Sequence, residues 1–139
     1  MLTSMKLAIK GNTAISSLQR IFSEEFPYIK IEFFSQPHAK GKPTSAKLMM
    51  PGNRTLAEIR SFSKEGEMDI VPEMTVDQLE QEFENSFGLH VQVFRKSGRI
   101  WLETTATDEW TLGRQNQEGK ELSESHREDG EIPDYHEQE

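Results

Sequence analysis

Thr75-Val-Asp-Gln-Leu-Glu-Gln-Glu-Phe-Glu-Asn-Ser-Phe87 can be laid over Ala14-Ile-Ser-Ser-Leu-Gln-Arg-Ile-Phe-Ser-Glu-Glu-Phe26. The apolar positions then coincide: Val76, Leu79, Phe83 and Phe87 answer to Ile15, Leu18, Phe22 and Phe26. Both sets keep the i, i+3, i+7, i+11 spacing that lines one face of a helix. In the later segment Thr75 stands as N-cap with Gln78 three residues on, the pattern of a capping box, and Met74 and Leu79 fit a hydrophobic staple. Gly88 supplies a C-terminal stop. Pro27 does the same for the earlier helix, because it has no N–H to continue the ladder.

Working outward, each helix is followed by a strictly alternating stretch, Ile29-Lys-Ile-Glu-Phe33 and Leu89-His-Val-Gln-Val93. Alternation of apolar and polar residues is the period of a half-buried strand. Lys6-Leu-Ala-Ile-Lys10 and Glu67-Met-Asp-Ile-Val71 precede the helices as further strands. Ser97-Gly98 reads as the turn into Arg99-Ile-Trp-Leu-Glu103, and Ala46-Lys-Leu-Met-Met50 is the corresponding strand of the first half. Thr55-Leu56 and Thr111-Leu112 close the two halves. The expected fold class is therefore α+β: duplicated β-α-β-β units, copy one over 5–60 and copy two over 66–115, forming one mixed sheet with both helices on one face.

The string Met74-Thr-Val-Asp-Gln-Leu, Phe83, then Phe87-Gly-Leu-His-Val-Gln-Val-Phe-Arg95, with its Thr-Leu closing element, resembles a group of small bacterial α+β proteins of unassigned function. The resemblance lies mainly over residues 74–115. It is structural and implies no catalytic residue.

The net charge of −8 is unevenly placed. From Asn116 onward nine acidic residues stand against Lys120 and Arg127, a balance of −7, which leaves −1 for residues 1–115. So polar a segment cannot offset the entropy of ordering it, so 116–139 is expected to be a disordered acidic tail. The overall balance disfavours nucleic acid, whose affinity rests on phosphate neutralisation. The chain has no cysteine, which removes disulfides and thiolate metal sites. The N-terminal residues hold no signal-peptide core and no membrane span, so a cytoplasmic location is expected.

Chemistry is sparsely signalled. His38, His90, His126 and His136 lie too far apart in sequence for helical or finger-type ligand pairs. No G-x-S-x-G elbow occurs. Glu80 and Glu84 are explained by solvation on a helix face, since acid–base work needs an environment that splits two carboxyl pKa values. Gly41-Lys42 fails the phosphate-loop pattern, with Gln36 where a glycine is required and Pro43 where a Ser or Thr is required. No cofactor, metal or catalytic residue is expected, and the chain is read as no enzyme. Lys40, Lys42 and Lys47 form the most basic stretch and are candidate phosphate contacts.

The aromatic residues carry more. With Ser97-Gly98 as the turn, Phe94 falls opposite Trp101, on the face turned away from the helices. Phe34 holds the matching place in the first half, and His90 shares that face. Aromatic residues amid polar ones on an uncovered sheet form a candidate interaction surface: Phe34, Phe94, Trp101 and His90. The expected function is a non-enzymatic protein-interaction module, self-association included, with nucleic-acid or phosphate binding through the Lys40–Lys47 loop as the alternative.

Overall fold

The computed structural model describes residues 4–37 and 45–128, with side chains as far as residue 124 in the last helix. The elements run β1 (Met5–Ile9), α1 (Ile15–Glu25), β2 (Ile29–Phe34), β3 (Gly66–Ile70), α2 (Val76–Phe87), β4 (His90–Ser97), β5 (Ile100–Glu103) and α3 (Leu112–Glu128). The class is α+β.

Local chemistry accounts for the helices. Thr75 Oγ1 accepts from the Gln78 N–H at 3.0 Å, and the Gln78 side chain accepts from the Thr75 N–H at 2.9 Å, closing the capping box. Gly88 adopts φ 70°, the left-handed conformation that ends α2. Both helices bury the expected stripes: Ile15, Leu18, Phe22 and Phe26 from the first segment, Val76, Leu79, Phe83 and Phe87 from the second. The strands add Leu7, Ile9, Ile29, Ile31, Phe33, Met68, Ile70, Val91 and Val93 to one continuous core. Phe33 meets Phe83 edge-on, with ring centroids 5.7 Å apart at 81°, an arrangement favoured by the ring quadrupoles.

The expected single mixed sheet is corrected to two antiparallel sheets, β1-β3 and β2-β4-β5. Each strand beside a helix pairs with its counterpart from the other half of the chain. Leu7 faces Met68 at the centre of one pairing, and Glu32 faces Gln92 at the centre of the other. Antiparallel pairing is somewhat more stable per residue than parallel, and here it lets all four inner strand faces close over one core. The backbone hydrogen bonds recur in step. Ile15 N–H donates to Arg54 O and Val76 N–H to Trp110 O; Leu56 N–H donates to Thr13 O and Leu112 N–H to Met74 O; Ala57 N–H donates to Gly11 O and Gly113 N–H to Pro72 O. The bridges Ala14 to Thr55 and Thr75 to Thr111 match as well.

Three local expectations change. Ala46–Met50 is not a strand: Ala46–Leu48 form a 3-10 turn capped by Ser45, and only Met49 bridges to Phe34. The β4–β5 hairpin turns at Gly98-Arg99, so Lys96 pairs with Trp101 and Phe94 with Glu103. Gly98 has φ 65°, and no other described residue but Gly88 has positive φ. A two-residue turn with glycine first is type II′, whereas Ser97-Gly98 as the central pair would have required positive φ at the serine of a type I′ turn. Finally, residues 116–128 continue α3 instead of leaving the fold. Asn116 Oδ1 accepts from the Tyr28 N–H at 2.8 Å, Gln115 is fully buried, and Ser123 is buried below. Residues 129–139 of the expected tail lie outside the described residues.

Candidate interaction surface

The surface is built by strand parity. On β4 the odd residues Val91 and Val93 face the core, so His90, Gln92, Phe94 and Lys96 face the other way. Lys30 pairs with Phe94, and Trp101 pairs with Lys96, which puts all four on one outer face. The shift of the hairpin leaves the face intact and changes the neighbours: Trp101 lies diagonal to Phe94 and directly beside Lys96.

Charge then fixes the indole. Lys30 Nζ stands 4.9 Å from the Trp101 ring centroid and Lys96 Nζ 5.9 Å from it. Lys30 also lies 5.7 Å from the Phe94 ring and 3.1 Å from a Glu32 carboxylate oxygen. Ammonium groups are drawn to the negative face of an aromatic ring, by roughly 0.5–1 kcal/mol at exposed sites. Trp101 is nevertheless 36% exposed, and only Ile21 joins it as an exposed large apolar side chain among the described residues. Beyond Lys30 an open groove of about 310 Å³ runs to Gln19, Arg20 and Ser23 of α1.

Two expected members leave the surface. Phe34 has the right parity but is 1% exposed, and the Ala46–Met50 segment runs along its strand: Met49 bridges to its backbone, and Met50 N–H donates to Phe33 O at 2.7 Å. His90 is drawn to α2, with Nδ1 2.8 Å from Glu84 Oε1; the carboxylate accepts and Nδ1–H donates. Phe94 is half-buried and remains part of the face. Lys47 is exposed on the 3-10 turn, while Lys40 and Lys42 lie outside the described residues.

Alternation along β2 puts Lys30 on this face in the sequence itself, whereas only the Gly98-Arg99 turn sets Lys96 directly beside Trp101. Trp110 is a second aromatic–cation cluster that the pattern did not single out. It is half-buried, with the Arg114 guanidinium 3.7 Å and that of Arg95 5.6 Å from its ring centroid. Arg95 also donates to Gln115 Oε1 at 2.9 Å, and Gln115 donates to Thr107 O and Oγ1. This cluster anchors the start of α3 to β4.

Among the described residues no group of three or more His, Asp or Glu side chains comes together to hold a metal. No described helix is long and apolar enough to cross a membrane. No protein-family model, curated protein or solved structure matches the chain.

Proposed function

We propose that this chain is a non-enzymatic interaction module whose docking surface is the outer face of β2-β4-β5 around Trp101. The observation that carries this reading is an exposed indole with two ammonium groups near its ring, at 4.9 and 5.9 Å. A tryptophan fixed before contact removes a large area from water while losing few torsions on binding, which is why such residues dominate interface energetics. Lys30 and Lys96 add a polar border that orients a partner. We also infer that the scaffold is one β-α-β unit used twice. The paired backbone hydrogen bonds and the equivalent centres of the two strand pairings support that reading.

The test is site-specific photo-cross-linking in the cells that make the protein. A photoreactive residue at position 101 is expected to give a discrete adduct, at twice the chain's mass for self-association or at another mass for a different protein. The same residue in place of Ala8, exposed on the two-stranded sheet, serves as the reference. An adduct pattern at 101 no stronger than at position 8 would overturn the proposal.

A further inference from the structure

At the edges of the three-stranded sheet, side chains and loops take up backbone groups on β2 and β4 but not on β5. On β2, Ser23 Oγ donates to Ile29 O at 3.2 Å, Gln19 Nε2 to Ile31 O at 2.9 Å and Met50 N–H to Phe33 O at 2.7 Å. Where β4 extends past β5, Val93 N–H donates to Glu80 at 3.3 Å, and Val93 O accepts from Thr104 N–H and Oγ1. Lys96 N–H points toward β2, donating to Tyr28 O. Paired residues of an antiparallel ladder send their backbone groups either toward each other or apart. Trp101, opposite Lys96, therefore sends its N–H and C=O away from β4. Glu103, opposite Phe94, does the same. Among the described residues no backbone hydrogen bond closes this edge. An open edge is a template for pairing with another strand.

The edge complements itself. Trp101 and Glu103 share one face of β5 and Ile100 and Leu102 the other, while Arg99, exposed in the turn, precedes the strand, so the edge reads positive, aromatic, negative along its length. An antiparallel second copy with Trp101 opposite Trp101 sets Arg99 of each chain against Glu103 of the other and Ile100 against Leu102. Shifting the two-fold axis to Leu102 sets Trp101 against Glu103 instead. Shifting it to Glu103 sets like charges opposite, which is destabilising. Of these three registers, only the first brings opposite charges together at both ends of the strand. Resting on the docking surface proposed above, we infer that its partner is a second copy of this chain. The two copies join β5 to β5 about a two-fold axis at Trp101 in one continuous sheet. Such an isologous contact closes on itself and stops at a dimer.

Sedimentation equilibrium of the purified full chain tests this. The parent is expected to dimerise. Arg99→Glu and Glu103→Arg, both at exposed positions, are each expected to weaken self-association at least tenfold, because each leaves like charges across the axis. An equimolar mixture of the two variants restores opposite charges at both ends and is expected to dimerise as the parent does. A parent monomeric at hundreds of micromolar would overturn the inference. So would a mixture that associates no better than either variant alone. A cross-link from position 101 to a different protein, with the purified chain monomeric, would sink this inference and leave the docking surface standing.

Discussion

Gly119 and Gly113 sit in the same helix, and alanine at each is expected to move stability in opposite directions. A Cβ on Gly119 would stand 2.8 Å from the Tyr28 carbonyl oxygen and 3.0 Å from Tyr28 Cβ. Both groups belong to rigid chain, so α3 must withdraw. Withdrawal strains the bond from Tyr28 N–H to Asn116 Oδ1 at 2.8 Å and that from Tyr28 O–H to Glu124 at 3.3 Å. A buried donor left without its partner costs about 1–3 kcal/mol, against a gain of about 0.8–1.0 kcal/mol for replacing glycine inside a helix. The expected balance at Gly119 is a loss of about 1 kcal/mol, or roughly 3–5 °C in melting temperature for a chain of this size. On Gly113 the added atom would meet Pro72 at 3.4 Å or more, ordinary contact, so the helical gain stands and melting is expected to rise slightly. Thermal unfolding followed by circular dichroism reads both. A Gly119→Ala protein that melts above its parent would show that the middle of α3 does not press on Tyr28.

Phe83→Ala and Phe22→Ala, each removing a fully buried ring, are expected to cost about 3–5 kcal/mol. In urea melts, a parental midpoint for either would mean that the helix is turned the wrong way. Lys6 donates to Asp69 at 2.8 Å, and that hydrogen bond, reinforced by the carboxylate charge, holds its ammonium above the ordinary lysine range. A raised value in the folded state stabilises below the unfolded lysine pKa and is lost as pH rises through the folded one. NMR titration should therefore find Lys6 returning to the ordinary range in Asp69→Asn; an unchanged value would discount the pair.

Apolar periodicity announced α1, α2 and the four strands that pair across the halves, because those elements are held by burying hydrocarbon. α3 is buried at Leu112, Gln115, Gly119 and Ser123, the same i, i+3, i+7, i+11 spacing as the phenylalanine helices. After Leu112 that stripe is amide, hydrogen and hydroxyl, docked through the hydrogen bonds of Gln115 and the close approach of Gly119 to Tyr28, so hydrophobicity and charge alone mark it as tail. The hairpin went astray by one residue because Ser-Gly and Gly-Arg both look like turns, and the sign of φ at the first central position decides between them. Phe34 shows the limit of parity at a surface. Alternation tells which way a side chain points, and only tertiary packing tells whether that side is open, as the 1% exposure of Phe34 shows. Trp101 was legible for the opposite reason, since nothing described packs over it completely.

The pairing of β1 with β3 and of β2 with β4 also has a consequence for synthesis. Neither strand beside α1 finds a long ladder within its own half: Leu7 waits for Met68 and Ile31 for Val93. At about 5–20 residues per second the ribosome delivers those partners several seconds after the first strands have left the exit tunnel. During that interval Ile29, Ile31 and Phe33 have their helix but not their sheet, and the chain must close long loops before any strand contact stabilises it. The nascent first half is thus an obligate waiting state with apolar surface uncovered. Slower translation of the second half would lengthen its exposure to chaperones and to other nascent chains, while leaving the stability of the finished protein unchanged.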